Sequence, residues 1–225
     1  MDNNSLYNNN KTGNSLTYKN NTKLDFLFSE EDFIIRNKLK VDKVALYSVT
    51  NSVDAIEMAR ILKQMCDERA KFKEVVDLTA CVGGNTIAFC REFDNVTAIE
   101  INVRRYKLLL HNLSVLNLNN ISCWNGNAMS YLSRNMLYDA DVYFIDPPWG
   151  GPYAKQTTKI IFNGFEIYDW CQIMFSKKKI YKTIIVGIKV PPTYPIPKSY
   201  SNCTVRTFVH FRKMKLIVLK YYPNI

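Results

Sequence analysis

The sequence predicts an α/β fold: a mainly parallel sheet of seven strands, helices on both faces, and a short helical extension at the amino terminus. Three observations carry this. Short apolar runs alternate with stretches of helical spacing, the pattern of strand-helix-strand units. The first two runs of the main domain lead to acidic residues, Asp77 and Glu100. A central run, Val142-Tyr-Phe-Ile145, is apolar at every position and is stopped by Asp146-Pro-Pro-Trp-Gly-Gly-Pro152. Open α/β sheets bind ligands outside the carboxyl ends of their strands, so the chain is organised around these three ends.

Residues 1–23 are rich in Asn, Ser, Thr and Lys and poor in apolar side chains, so a disordered tail is expected. Residues 24–52 read as the helical extension. There Ser29-Glu-Glu-Asp32 ahead of Phe33-Ile-Ile35 puts acidic residues in a first helical turn, which the macrodipole favours. The main domain covers 53–225. Ser52-Val-Asp54 opens a helix with apolar positions at Ile56, Ala59, Ile61, Leu62 and Met65. A strand over 74–79 leads through Ala80-Cys-Val-Gly-Gly-Asn-Thr86 into a helix containing Ile87, Phe89 and Cys90. Strand 96–100, helix 103–116, strand 121–124 and the central strand follow. A helix is expected over 166–175, closed by Lys177-Lys-Lys179, whose charges suit a helix carboxyl end. Thr183-Ile-Ile-Val-Gly-Ile-Lys-Val190 reads as a strand, and 204–211 with 215–222 as a closing hairpin.

The length of 225 residues suits one domain with an appendage. Lys and Arg number 30 against 20 Asp and Glu, and the resulting net charge of +10 favours a polyanionic partner such as nucleic acid. The six cysteines are scattered, with no Cys-x-x-Cys pair. That argues against a zinc site and a disulfide framework, and for a reducing compartment. Neither a signal peptide nor an apolar run of bilayer length is present. A soluble, intracellular monomer is expected, with no membrane partner and no metal.

The Gly-rich turn after Asp77 is a nucleotide-type loop. It lacks both the Gly-x-Gly-x-x-Gly of dinucleotide enzymes and the Lys-Ser/Thr of phosphate-binding loops, so its ligand need not carry phosphates. Gly83 and Gly84 let the backbone approach a ligand closely. Glu100 is placed to accept from two ribose hydroxyls, and Asp77 suits the ammonium of an amino-acid moiety. Asn127-Ala128 follows the third strand, where an adenine would lie. A nucleoside joined to an amino acid is S-adenosylmethionine. Asp77 or Glu100 alone could merely cap a helix; the ordered set with Asp146 favours the cofactor. Asp-Pro-Pro-Trp is also the signature of methyltransferases acting on exocyclic amines. Proline offers no N–H, so Asp146 and the proline carbonyls face an amino group as acceptors, while Trp149 covers the ring.

Together these residues resemble the trimethylguanosine synthase family, the RNA cap guanine-N2 methyltransferases. The likeness extends over about 39–222. Its carriers are Lys40-Val-Asp-Lys43, Ser48-Val-Thr50, Val76-Asp77, Val82-Gly-Gly-Asn-Thr-Ile87, Ala98-Ile-Glu-Ile101, His111-Asn112, Asp146-Pro-Pro-Trp-Gly-Gly-Pro152 and Asn163-Gly-Phe-Glu-Ile-Tyr168. The resemblance implies a Rossmann-like, S-adenosylmethionine-dependent methyltransferase. It implies cofactor contacts at Thr50, Asp77, Gly83, Asn85, Thr86, Glu100 and Asn127. It implies substrate contacts at Ser48, Asn112, Asp146, Pro147 and Trp149, with the last three carrying catalysis and Trp149 stacked on 7-methylguanine. The expected activity is methyl transfer to the exocyclic N2 of 7-methylguanosine in RNA 5′ caps. The product is a 2,7-dimethylguanosine cap, with a second transfer to 2,2,7-trimethylguanosine left open. The implied partner is 7-methylguanosine-capped RNA. Three departures stand out: Cys81 where glycine is usual, Leu46 where Trp is frequent, and Asn51-Ser52 in place of Pro-Glu.

7-Methylguanine is cationic, so stacking on indole gains a cation–π contribution. Candidate cations for the triphosphate and RNA are Lys40, Arg104, Arg105, Lys189, Arg212, Lys213 and Lys215. His111 and His210 read as polar positions without a catalytic role, and Phe165 and Tyr168 as core. Two other readings compete. An amino-methyltransferase of the N6-adenine type on DNA or RNA shares Asp-Pro-Pro-Trp, but the downstream Gly-Gly-Pro and Asn-Gly-Phe-Glu-Ile-Tyr weigh against it. A non-catalytic cap-binding subunit would not bind S-adenosylmethionine.

Overall fold

The computed structural model describes residues 16–17, 22–134, 140–150, 158–176, 181–196 and 203–223. The amino-terminal part is a run of short elements: β1 (Leu16–Thr17), α1 (Thr22–Leu27), α2 (Phe33–Arg36), β2 (Lys40–Val41) and α3 (Ala45–Ser48). β1 pairs antiparallel with β2, Leu16 opposite Val41. The segment expected as a tail therefore contributes two residues to a ladder and, from Thr22, the first turn of α1; its residues 1–15 and 18–21 lie outside the described residues. α2 opens just after the acidic run: Asp32 is its cap, and the first turn itself holds no acidic residue, contrary to expectation. Asp32 accepts a hydrogen bond from the Ile35 N–H at 2.9 Å, satisfying one of the orphan donors of a first turn. Four residues later the helix stops, so the extension is a chain of single turns and not a sustained helix.

α4 (Ser52–Gln64) is the first long helix. Asn51 caps it, accepting from the Asp54 N–H at 3.1 Å. Its inward face is Ala55, Met58, Ala59 and Leu62, with Ile56, Ile61 and Met65 at the margin. Leu62 rests on a strand at Gly187, where a Cβ would come within 2.8 Å of its Cδ2; only glycine admits that approach.

The main sheet follows. Its elements are β3 (Glu74–Asp77), α5 (Gly84–Glu92), β4 (Asn95–Glu100), α6 (Val103–Val115), β5 (Ile121–Asn125), α7 (Ala128–Arg134) and β6 (Val142–Ile145). After a small hairpin, β7 (Ile161–Phe162) with β8 (Phe165–Glu166), come α8 (Ile167–Cys171), β9 (Ile184–Val190), β10 (Cys203–Phe211) and β11 (Met214–Tyr221). The expected helix over 166–175 begins as α8 and continues as a π-helical turn, Gln172–Ser176; Lys177-Lys-Lys179 lies outside the described residues. Strand order is β10-β11-β9-β6-β3-β4-β5. β11 runs against β10 because a hairpin of two intervening residues, Arg212 and Lys213, can join only antiparallel strands, and it is antiparallel to β9 as well. β9, β6, β3, β4 and β5 are all parallel. The mainly parallel seven-stranded sheet is thus the observed architecture. Among the described residues no helix is long and apolar enough to cross a membrane.

Both faces of the sheet are covered, so its central strands are apolar at successive positions. In β6, Phe144 packs into the layer under α4, α5 and α6, and Tyr143 into the opposite layer with α7 and α8, the alternation of a pleated strand. β3 and β6 are adjacent at the centre of the sheet. From β3 the chain proceeds to β4 on one side, and from β6 to β9 on the other. The crevice outside their carboxyl ends is the topological switch point, where such sheets bind ligands. Asp77 and Asp146 stand on its two sides.

Candidate active site

The loop between β3 and α5 is shaped by two buried carboxylates. Asp77 is fully buried. Its Oδ1 accepts from the Thr79 N–H at 3.1 Å and its Oδ2 from the Thr86 hydroxyl at 2.7 Å. Burial without a cationic partner pushes its carboxyl up to about 7, with both hydrogen bonds pulling the other way. Glu100, at the end of β4, accepts from the Cys81 N–H at 2.9 Å through Oε2 and from the Asn102 N–H at 2.7 Å through Oε1, with Arg105 Nε 3.5 Å away. Cys81 has φ +53° and Gly83 φ +107°, so the turn crosses the left-handed region twice before α5 begins. At Gly84 a Cβ would lie 2.6 Å from Val49 Cγ1 and 3.1 Å from the Thr50 carbonyl oxygen. The room expected there for a ligand is thus used by the protein's own Val49 and Thr50.

Across the crevice, Asp146 follows the last residue of β6. Its N–H donates to Thr79 Oγ1 at 2.7 Å, which ties the two motif loops together. Its Oδ2 accepts from Lys189 Nζ at 2.6 Å and from Asn85 Nδ2 at 3.4 Å. Oδ1 takes no hydrogen bond among the described residues. Burial raises the Asp146 carboxyl, and Lys189 with Asn85 oppose that rise. Lys189 Nζ also donates to Thr50 Oγ1 at 2.8 Å and lies 5.2 Å from the centre of the Trp149 ring. Trp149 Nε1 donates to the Lys189 carbonyl at 3.2 Å, and the indole packs against the margins of both core layers. Pro147 is buried and Pro148 exposed.

The structure thus brings Thr50, Asn85, Asp146 and Trp149 together around Lys189, and gathers Asp77, Gly83, Thr86 and Glu100 at the loop. Asn127 sits past the end of β5. Its Oδ1 caps α7 through the Met129 N–H at 2.8 Å, and its Nδ2 donates to Asn163 Oδ1 at 3.0 Å in the β7–β8 turn. Ser48 is exposed at the end of α3, its hydroxyl donating to the Val44 carbonyl at 3.0 Å.

Several expectations are corrected. Asn112 was expected to touch the guanine. It is fully buried, and its amide holds the Lys40 N–H, the Lys40 carbonyl and the Val82 carbonyl, at 2.8, 2.9 and 2.9 Å. Both of its N–H donors are spent, so it clamps β2 and the loop to α6. Among the candidate phosphate cations, Lys189 and Lys215 are each only 4% exposed. Lys215 Nζ donates to the Tyr194 carbonyl at 2.5 Å, and burial lowers its pKa. Arg105 faces Glu100 and Asp42. Phe165, expected in the core, is exposed beside the Gly164 turn, while Tyr168 is buried. Sequence reasoning missed the role of Lys189. Its signal was present: a lone charge next to the last residue of an otherwise apolar strand that two prolines close.

Two buried polar atoms of the crevice have no partner among the described residues: Asn85 Oδ1, an acceptor beside Asp146, and Asn163 Nδ2, a donor beside Asn127. Native interiors rarely leave such atoms unpaired without a ligand or water to meet them. One lies on the Asp146 side and one past β5, so the residues present fit an elongated ligand with an ammonium at one end and an adenine at the other.

Comparison with known proteins agrees. Uncharacterized protein L320 of Acanthamoeba polyphaga mimivirus is 33% identical over 160 residues, which are 69% of this chain and 61% of that protein. The chain thus spans less than two thirds of that relative's length. Among solved structures, the yhhF protein of Escherichia coli superposes with a TM-score of 0.53 at 16% identity, covering 75% of this chain and 88% of that one. The O-methyltransferase from Bacillus cereus in complex with SAH gives 0.53 at 11% identity, covering 78% and 83%. At such identities these two report the fold alone. The profile of the RNA cap guanine-N2 methyltransferases matches residues 72–220. With most of its length matched, the chain belongs to the RNA cap guanine-N2 methyltransferase family, and its cofactor is S-adenosylmethionine.

Proposed function

We propose that the chain methylates the exocyclic N2 of 7-methylguanosine at the 5′ cap of RNA, with 53–225 as the catalytic domain and 24–52 as an extension that supplies Ser48 and Thr50. The observation that carries this reading is Asp146 Oδ1, which takes no hydrogen bond among the described residues, beside Trp149 at the carboxyl end of β6, in a chain of the cap guanine-N2 family. S-adenosylmethionine supplies an electrophilic methyl group on a sulfonium. Thr50, Asp77, Gly83, Asn85, Thr86, Glu100 and Asn127 hold it, with Asn85 Oδ1 and Asn163 Nδ2 as open hydrogen-bonding positions.

The N2 lone pair of guanine is delocalised into the ring. The protein must therefore hold the amine in line and let that pair localise. Asp146 Oδ1 and the Pro147 carbonyl accept from the amine and bear its developing positive charge. The amine becomes acidic once it is methylated, so no strong base is required. Trp149 covers the base, and the charge of 7-methylguanine adds a cation–π contribution to stacking. Of the candidate cations, Arg212 and Lys213 are exposed at the β10–β11 turn. That turn lies at the crevice end of the sheet, because Lys215 pairs with Val190, the last residue of β9. These two are the best placed to meet cap phosphates.

The test is methyl transfer to 7-methyl-GTP against GTP, with the product weighed. Only 7-methyl-GTP should be modified. Equal rates on both would reject a cation–π basis for specificity, and methylation of adenine in duplex DNA would move the protein to the adenine-modifying class.

A further inference from the structure

Lys189 is the only charged residue of β9, a strand buried at all seven positions. A buried ammonium is costly unless it is fully partnered, and this one is: Asp146 at 2.6 Å, Thr50 at 2.8 Å, and the Trp149 ring 5.2 Å away. Its own carbonyl takes the Trp149 N–H at 3.2 Å. One residue therefore touches the expected amine acceptor, the expected base platform and a threonine of the cofactor side.

We infer that Lys189 is a positioning residue for methyl transfer: it clamps one oxygen of Asp146 and the edge of Trp149, leaving the other carboxylate oxygen for the amine of the acceptor base. This rests on Asp146 being the amine acceptor. During the reaction the N2 lone pair bonds the methyl carbon, the carbon–sulfur bond breaks with its electron pair staying on sulfur, and the N2 proton leaves to solvent. Only an ionised Asp146 can meet the positive charge that N2 carries in between.

Among the described residues the groups facing Asp146 are few. Lys189 comes from β9 and the neutral Asn85 amide from α5, and the Thr79 hydroxyl takes its N–H. Asp77, at the end of β3, couples to Asp146 as a like charge, and Glu100, at the end of β4, couples to Asp77 in turn. Burial favours the protonated acid, and among the described residues Lys189 is the cation beside Asp146 that opposes it. A protonated Asp146 would offer an O–H donor where an acceptor is needed.

The experiment compares wild type, Lys189→Gln and Lys189→Arg in methyl transfer to 7-methyl-GTP at roughly pH 6 to 9, separating kcat from KM. Because the carboxylate is the active form, activity falls as pH drops through its pKa. Removing the ammonium should move that acid limb upward. Lys189→Gln should lose about 100-fold in kcat at pH 7, recover much of it near pH 9, and change KM less. Lys189→Arg should keep the wild-type limb and most of kcat. A Gln variant with the wild-type limb, or a loss equal at every pH and shared by the Arg variant, would overturn the inference. If the Gln variant does not fold, the Arg variant decides: an unmoved limb with kcat within about tenfold supports the inference, and a pH-independent loss beyond about 100-fold overturns it. Wild type inactive on 7-methyl-GTP would instead sink the substrate reading itself.

Discussion

The two sides of the crevice use their carboxylates differently. On the cofactor side, each oxygen of Asp77 and Glu100 already accepts from the protein: Thr79 and Thr86 for one, Cys81 and Asn102 for the other. On the acceptor side, Asp146 has one oxygen clamped by Lys189 and the other without a hydrogen bond among the described residues. Both Asp77 and Asp146 are raised by burial, but among the described residues only Asp146 has a cation against it. The cofactor loop is thus preset mainly by hydrogen bonds on every carboxylate oxygen, with Arg105 beside Glu100, whereas at the acceptor pocket the Asp146 carboxylate rests on its ion pair with Lys189. Damage to the first should appear as lost affinity or stability; damage to the second should appear as lost turnover or base binding.

The largest separation is expected at Trp149. Trp149→Ala should weaken binding of 7-methyl-GTP by about 1–3 kcal/mol for stacking and about 0.5–2 for the cation–π contribution. That is tenfold or more in Kd. Trp149→Phe should keep part of it, since a π-face remains. Because the indole touches both core layers and donates to the Lys189 carbonyl, Trp149→Ala should also lower the melting temperature. Affinity for S-adenosylmethionine should survive, with Asp77 and Glu100 untouched. A destabilised protein whose cap affinity, corrected for the folded fraction, equals wild type would assign Trp149 to the core alone.

What was legible in the sequence divides along the same line. Asp77, the Gly83-Gly84 turn and Glu100 follow one another at strand ends, so local pattern and strand order suffice to find them. The seven strands were legible for the same reason, since apolar runs bounded by Gly, Pro and Asp leave few alternatives. The acceptor side depends on contacts across the sheet. Lys189 meets Asp146 only because β9 and β6 are neighbours in parallel register, with Ile188 beside Ile145. A charged residue in isolation reads as a surface cation. Asn112 failed in the opposite direction: a polar residue in a family motif reads as a ligand contact, and only the fold shows its amide spent on Lys40 and Val82. The β7–β8 hairpin and α7 escaped because two-residue strands and a seven-residue helix leave too short a period to detect.

A middle-sized effect should mark Asp77. Its carboxyl stands at about 7 in the folded protein against an ordinary 3.8. Between those values the folded protein holds a proton that the unfolded chain has lost, so this group makes stability fall as pH climbs from about 4 to about 7. A cofactor ammonium arriving nearby favours the ionised form, releases the proton, and is helped by rising pH. Affinity for S-adenosylmethionine should therefore tighten by about tenfold from pH 6 to 8, with proton release visible by calorimetry in two buffers. Asp77→Asn should flatten that dependence and weaken binding at pH 8. A wild type with pH-independent affinity would remove Asp77 from the ammonium site and leave it as a brace for Thr79 and Thr86.

The smallest effect belongs to Cys81, at the position where the sequence resemblance leads one to expect glycine. At φ +53° it occupies the left-handed region, which costs an ordinary residue about 1–2 kcal/mol. Its N–H is fixed on Glu100 Oε2 at 2.9 Å, so the turn cannot relax without loosening the cofactor side. Glycine would remove the strain but add about 0.5–1 kcal/mol of unfolded-state entropy, and it would give up the packing of the thiol against the inner layer. These terms nearly cancel, so Cys81→Gly should unfold in urea within about 1 kcal/mol of wild type, with unchanged affinity for S-adenosylmethionine. Cys81→Val is the contrasting case. A β-branched side chain tolerates positive φ worse still, so it should be clearly less stable and bind the cofactor more weakly as the Glu100 bond is strained. If Val is tolerated as well as Gly, the turn is not held by Glu100, and the cofactor side is more adaptable than its hydrogen bonds imply.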